Sequence, residues 1–293
     1  MLSGEVKGRL KTYLLEDLGK GDVSVAITPE KKCSAIVKAN EACTLAGIEE
    51  AKFLAEWRGL KFRAFKKDGS AVKKETKILW LRGSGRKILE IERVLLNILG
   101  RMSGVATLAS KAVKIRGAKN KTIIAVTRKT VPGFQLLDKK AAEVSGLWTH
   151  RKSLNEMVLL KDNHLKFFSS PFEAVREAVE KVKSGKKKDG EWKGKSKKVE
   201  VEVETLKEAL NVAAAKPDFI MLDNFSPTGA RKAVHALRNE GFKGRIELSG
   251  GITLKNLKSF INADADIISM GEITKKAKIV DFSLDIKKME KQK

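Results

Sequence analysis

Glu200, Glu202 and Glu204 alternate with Val199, Val201 and Val203. On a β-strand this puts the valines on one face and the glutamates on the other. In a barrel the valines would meet outer helices and the glutamates would point inward. Dry, unpaired carboxylates there cost roughly several kcal/mol each, so they need cations or water. Lys129, Lys161 and a Mg²⁺ ion are the natural candidates. On an exposed edge strand the same glutamates would simply face solvent, and the segment alone leaves both arrangements open.

Two basic pairs, Arg128-Lys129 and His150-Arg151, would form a cationic pocket together with Lys161. Arginine grips a carboxylate through two parallel hydrogen bonds, which suits a planar dicarboxylate. His150 lies in a basic loop and reads as a ligand-binding histidine. His164, after Lys161-Asp162-Asn163, reads as a supporting residue, and His235, on an amphipathic stretch, as a structural one. Ser249-Gly250-Gly251 precedes Thr253, the expected N-cap of a helix. Glycines let a backbone approach a phosphate, and a helix start offers free N–H groups. Gly-Gly alone is a weak signal and reads first as a turn. Paired with Gly271 after the next apolar run, it matches the phosphate site that barrels often build on their last two strands.

These residues sit at the ends of short apolar runs. Thr122–Val126 leads into Thr127-Arg128-Lys129, and Met157–Leu160 into Lys161. Val199–Val203 carries the glutamates, and Phe219–Leu222 leads into Asp223-Asn224. Arg245–Leu248 leads into Ser249, and Asp266–Met270 into Gly271. Helical stretches are expected between them at 171–182, 205–215, 227–240 and 254–261. Alternating strands and helices imply a parallel sheet, and barrel enzymes place chemistry at the carboxyl ends of such strands. Upstream, the spacing predicts helices over 5–18 and 48–57, β-runs at 33–39, 60–65 and 78–81, and a long helix over 86–102. That mixture suggests a small α/β layer domain.

The 293-residue chain is 42% hydrophobic, enough for one large domain or two modest ones. Its net charge of +24 attracts anions without choosing among nucleic acid, lipid and phosphorylated metabolites. Much of the excess lies in 181–198, with nine lysines and two acids. One Trp192 and no arginine there favour a solvated loop over a nucleic-acid surface. Cys33 and Cys43 form no metal motif and are expected as free buried thiols. No signal-like segment or uncharged apolar stretch of membrane length is present, so a soluble cytoplasmic protein is expected.

In this order along the chain stand GlyAsp at 21–22, GluArg at 92–93, Asn97 and Ser103-Gly104. ThrArgLysThr follows at 127–130, ProGly at 132–133, HisArg at 150–151 and LysAspAsnHis at 161–164. GluValGluValGlu at 200–204, LeuAspAsnPhe at 222–225 and SerGlyGlyIleThr at 249–253 complete the set. Together they resemble the quinolinate phosphoribosyltransferases over about residues 5–285. The resemblance implies an α/β protein with an N-terminal open α/β sandwich (1–103) and a C-terminal incomplete (β/α) barrel (104–274). A segment over 275–293 would return to the N-terminal domain. It implies a homodimer, or a higher assembly of dimers, with shared active sites. It also implies the Mg²⁺-dependent joining of quinolinate to phosphoribosyl pyrophosphate, with loss of pyrophosphate and CO₂, in de novo NAD biosynthesis.

Carried over by position, Arg93 would reach quinolinate from the partner subunit. Arg128, His150, Arg151 and Lys161 would hold the two carboxylates. Lys129 would face both substrates, as a catalytic group and a phosphoribosyl pyrophosphate ligand. Glu202 and Asp223 would act near the ribose and bind the metal. Ser249, Gly250, Gly251 and Gly271 would cradle the 5′-phosphate. The chain departs from many relatives at Val126, where Asp is common, at Trp148-Thr149 before the HisArg pair, and at Lys275 after the glycine strand. Three alternatives stand beside this reading. One is a related protein of molybdate-transport type with another substrate, against which the intact LysAspAsnHis speaks. The second is a Schiff-base aldolase using Lys161 or Lys129. The third is a basic nucleic-acid-binding protein, although no specific nucleic acid is expected.

Overall fold

A computed structural model describes residues 2–185 and 197–287. Part of the lysine-rich stretch, including Trp192, lies outside the described residues. The chain forms two compact units. One comprises Met1–Ser110, Thr130–Gly146 and Lys276–Lys293, and the other Lys111–Lys129 and Leu147–Lys275. No helix among the described residues is long and apolar enough to cross a membrane.

In the first unit, α1 (Gly4–Leu18) starts where the Ser3 hydroxyl accepts a hydrogen bond from the Val6 N–H, and it buries Leu10 and Leu14. Asp22 caps the short α2 (Val23–Ile27). The sheet is built from β1 (Lys32–Ala39), β3 (Lys61–Ala64), β5 (Lys77–Ser84) and the C-terminal strand Phe282–Lys287. Its order is C-terminal strand, β1, β5, β3, all antiparallel. On β1, Cys33, Ala35, Val37 and Ala39 are buried in alternation, as a sheet with one covered face requires. Between these strands lie β2 (Cys43–Thr44), α3 (Ile48–Trp57) and β4 (Ala71–Val72), with β2 and β4 paired. Both cysteines are free and buried.

The long helix α4 runs over Gly85–Arg116 instead of stopping at Met102. Ser103-Gly104 looks like a breaker in the sequence. In the structure Gly100 and Gly104 give the helix a bare side. A Cβ on Gly104 would stand 1.8 Å from the Lys278 carbonyl oxygen, and one on Gly100 2.6 Å from that of Val280. The helix tolerates the glycines because a returning segment packs directly on its backbone. A helix without a sequence forecast, α5 (Gln135–Val144), buries Asp138 completely. The Arg101 guanidinium meets that carboxylate through two bonds of 2.8 and 2.7 Å.

The second unit is a parallel six-stranded sheet. Its strands are β6 (Ile123–Val126), β7 (Val158–Leu160), β8 (Val199–Val203), β9 (Phe219–Asp223), β10 (Arg245–Ser249) and β11 (Ile267–Met270). The order β6-β11-β10-β9-β8-β7 makes the first and last strands neighbours, which is the mark of a closing barrel. Trp148 adds a parallel bridge on the outer side of β6, through Trp148 N to Ile124 O and Val126 N to Trp148 O, both 2.9 Å. Among the described residues no pairing joins Trp148 to β7, so the barrel is incomplete. Helices α6 (Asp162–Leu165), α7 (Pro171–Ser184), α8 (Leu206–Ala213), α9 (Pro227–Asn239), α10 (Leu257–Ile261) and α11 (Glu272–Lys275) intervene. Ser170, Thr205 and Ser226 cap α7, α8 and α9 through their hydroxyls, and proline follows the first and third. The α10 helix is shorter than forecast: Asn256, not Thr253, is its N-cap residue.

Candidate active site

Parallel strands alternate their side chains, so each β-strand of the second unit sends every other residue into the barrel. The amino-terminal part of that interior is apolar: Ala125, Met157, Phe219 and Ile267 cluster there with Ile123 and Trp148. Towards the carboxyl ends the interior becomes charged. The valines of β8 are buried, and its glutamates form a gradient. Glu200 is fully buried, Glu202 retains 13% side-chain exposure, and Glu204 is exposed. The edge-strand arrangement is thereby excluded, because β8 pairs with β7 on one side and β9 on the other.

The cation opposite Glu200 is His150. Its Nε2 lies 2.9 Å from a Glu200 oxygen and 3.3 Å from one of Glu247, which is also fully buried. The Ser269 hydroxyl donates to the other Glu247 oxygen. Burial works to lower the His150 pKa, but the two carboxylates outweigh it and raise it to about 9. Burial, followed by the charge of Glu247, raises the Glu200 pKa. His150, which the sequence assigns to quinolinate, turns its Nε2 edge to two carboxylates inside the barrel.

Glu202 is paired with the Lys161 ammonium, as the sequence reading allowed. His164 supports this lysine: its Nδ1 accepts a hydrogen bond from Lys161 N at 3.0 Å, closing the turn from β7 into α6. Arg151 is only 8% exposed. Burial lowers its pKa, the nearby Arg128 guanidinium lowers it further, and Glu200 counteracts both. The Trp148 bridge explains why those arginines meet, since it sets 148–151 beside the carboxyl end of β6, from which Thr127, Arg128 and Lys129 emerge.

Asp223 ends β9, and its carboxylate accepts a hydrogen bond from the Asn224 amide at 2.7 Å. Ser249, Gly250 and Gly251 end β10, with both glycines at positive φ. A Cβ on Gly251 would meet nothing within 4 Å, so this glycine answers to its φ of 62°. Helix α10 begins only at Leu257, so the Gly-Gly turn does not open directly onto a helix start; its own backbone N–H groups remain. Gly271 ends β11. A Cβ there would come 3.3 Å from Lys129 Cδ and 3.5 Å from Thr127 Oγ1, so bare backbone faces the lysine stem. The Thr274 hydroxyl donates to Lys129 O at 2.7 Å and ties that loop to α11.

Arg128, Lys129, Arg151, Lys161, Glu202, Asp223, Ser249, Gly250, Gly251 and Gly271 thus gather at one end of the barrel. Arg93 lies in the other unit, exposed on α4. A cavity of about 1030 Å³ opens at the opposite end, at the strand starts, lined among others by Lys198, Lys216, Asp218, Phe242 and Arg245. It shares none of the ten. Glu247 and Ser269 escaped the sequence reading. For Glu247 the signal existed in Ile246-Glu247-Leu248, one charge alternating with apolar neighbours.

Such a site offers fixed cations for a dicarboxylate, carboxylates beside them, and exposed backbone at a glycine turn for a phosphate. The family described as quinolinate phosphoribosyl transferase matches twice: its N-terminal domain over residues 22–103 and its C-terminal domain over 105–285. The chain is 38% identical over 269 residues to a probable nicotinate-nucleotide pyrophosphorylase [carboxylating] of Archaeoglobus fulgidus, covering 91% of this chain and 98% of that one. It is also 38% identical over 284 residues to the protein so described in Methanocaldococcus jannaschii, covering 94% and 95%. Among solved structures, the nicotinate-nucleotide pyrophosphorylase from Francisella tularensis superposes with a TM-score of 0.87 at 31% identity over 98% of both chains.

Proposed function

This chain belongs to the quinolinate phosphoribosyltransferase family, and from that premise we propose how its strand-end residues carry the reaction. Quinolinate and phosphoribosyl pyrophosphate become nicotinate mononucleotide, pyrophosphate and CO₂. The observation that carries the proposal is the convergence of Arg128, Arg151, Lys129 and Lys161 with Glu202 and Asp223 at one barrel end.

Both substrates are polyanions, so seating them side by side requires concentrated positive charge. Arg128, Arg151 and Lys161 hold the adjacent carboxylates of quinolinate. Lys129 faces the pyrophosphate, and the backbone of Ser249, Gly250, Gly251 and Gly271 receives the 5′-phosphate. The bond from C1 of the ribose to pyrophosphate breaks, and its electron pair leaves with pyrophosphate. The oxocarbenium-like ribose is stabilised by the negative charge of Glu202 or Asp223. The pyridine nitrogen, held close by the clamp, then donates its lone pair to C1. The carbon–carboxylate bond beside the new pyridinium breaks next. CO₂ departs, and the pair left on the ring carbon takes a proton from solvent. No protein nucleophile is needed, and Lys161, engaged by Glu202, has no task as a Schiff base.

Glu202 and Asp223 are hard oxygen donors on adjacent strand ends, the donor type Mg²⁺ takes. We assign them as its ligands. A bound Mg²⁺ would neutralise charge on the departing pyrophosphate. We further propose a dimer in which Arg93 of one protomer completes the quinolinate pocket of the other, and a cytoplasmic location, with which the two free thiols agree.

The test is incubation with quinolinate, phosphoribosyl pyrophosphate and Mg²⁺. Equal amounts of nicotinate mononucleotide and CO₂ are expected. If neither forms, the proposal is wrong.

A further inference from the structure

Beneath the clamp sit three ionisable groups that the scheme above does not bring into contact with a reacting atom. Glu200 and Glu247 are fully buried, and His150 keeps 7% side-chain exposure. Neither Glu200 oxygen, nor the Glu247 oxygen facing His150, nor His150 Nε2 itself makes a well-directed hydrogen bond, so the three meet as charges at 2.9 and 3.3 Å. Charges sealed in this way persist only as a paired set. The groups facing His150 come from several elements: Glu200 from β8, Glu247 from β10, with Ser269 of β11 behind it, and the Trp148 ring at 5.0 Å.

His150 also has φ 51°, a left-handed backbone that a residue with a Cβ adopts only when its surroundings hold it. The next residue is Arg151. The Arg151 guanidinium donates from Nη1 to Met157 O at 3.4 Å, beside the like charge of Arg128, and the backbone from which that side chain starts is set by the turn at His150.

We propose that Glu247, acting with Glu200 through His150, is a positioning residue for the quinolinate clamp: the three groups lock the left-handed turn at His150 and thereby aim Arg151. The raised His150 pKa agrees with this, since an imidazolium is the form the two carboxylates select. Glu200 adds a direct attraction on Arg151. The inference rests on quinolinate being the substrate.

The test is Glu247→Gln, with the milder Glu247→Asp as a second variant. In the Gln variant the KM for quinolinate should rise about tenfold or more, while the KM for phosphoribosyl pyrophosphate and kcat stay within about threefold. Glu247→Asp, which keeps the charge, should recover part of the loss. A merely structural role would reduce the active fraction and leave both KM values alone. That result in a folded variant overturns the inference. Ring ¹⁵N NMR of the three histidines needs no turnover and serves even if both variants fail to fold. In the unsubstituted enzyme, His150 should be an imidazolium at about neutral pH. A neutral His150, or a stoichiometric metal ion on this cluster by elemental analysis, overturns the inference. An inactive enzyme with a charged His150 would instead remove quinolinate and leave the cluster intact.

Discussion

Gly250 is pressed against Asn224: a Cβ at Gly250 would lie 2.3 Å from Asn224 Oδ1 and 2.5 Å from Asn224 N. Asn224 N in turn donates to Ser249 O at 3.0 Å, and Asn224 itself has φ 59°. The ends of β9 and β10 are therefore one interlocked turn carrying Asp223 on one side and the glycine backbone on the other. Gly250→Ala has no room and the wrong φ. We expect a loss of roughly 1–3 kcal/mol in stability and at least about a tenfold rise in the KM for phosphoribosyl pyrophosphate. Denaturant melts and steady-state kinetics read the two effects separately. An unchanged KM would detach the turn from phosphate binding.

Arg128 is exposed on the loop after β6, so its removal should leave the fold alone. Losing a charged, bidentate contact with a carboxylate costs about 2–4 kcal/mol of binding, which is roughly 30- to 1000-fold in kcat/KM for quinolinate. Arg128→Ala should show that loss with an unshifted thermal melt. Near-normal turnover would take Arg128 out of the clamp.

The bare side of α4 predicts a defect of a different kind. Gly104→Ala drives a methyl group to 1.8 Å from the Lys278 carbonyl. The returning segment must move, and we expect destabilisation of about 3 kcal/mol or more. A melting temperature within a degree or so of the parent would contradict that packing.

The buried cluster makes stability depend on pH. The folded pKa of His150 is raised from 6.5 to about 9 by two carboxylates that overcome its burial. A raised value stabilises the fold fully below about pH 6.5, and that contribution disappears as pH climbs through about 9. Glu200, also raised, acts with the same sign at lower pH. Unfolding free energy should fall by up to about 3 kcal/mol across this window. Urea titrations at a series of pH values measure it. In His150→Gln the part of the fall centred near pH 9 should vanish from a less stable protein, while the Glu200 part at lower pH remains.

How much of this was legible depends on whether the signal was local. Alternation in 199–203 assigned the faces of β8 correctly, and the polar residues after each apolar run did lie at one barrel end. Partners distant in sequence were another matter. Nothing in the spacing of 150, 200 and 247 says that they meet; only barrel closure brings β8, β10 and the Trp148 bridge around one point. Likewise Gly104 reads as a helix end until Lys278 is seen against it, and of the helix expected over 254–261 only Leu257–Ile261 forms, the first three residues being a turn. Propensity yielded to tertiary packing at each of these places.

The most direct test of the account is a crystal structure with quinolinate bound. Its two carboxylates should lie within hydrogen-bond distance of Arg128, Arg151 and Lys161, with the ring nitrogen facing the side of Glu202 and Asp223. Quinolinate seated elsewhere, such as in the cavity at the strand starts, or held without those three side chains, would contradict it.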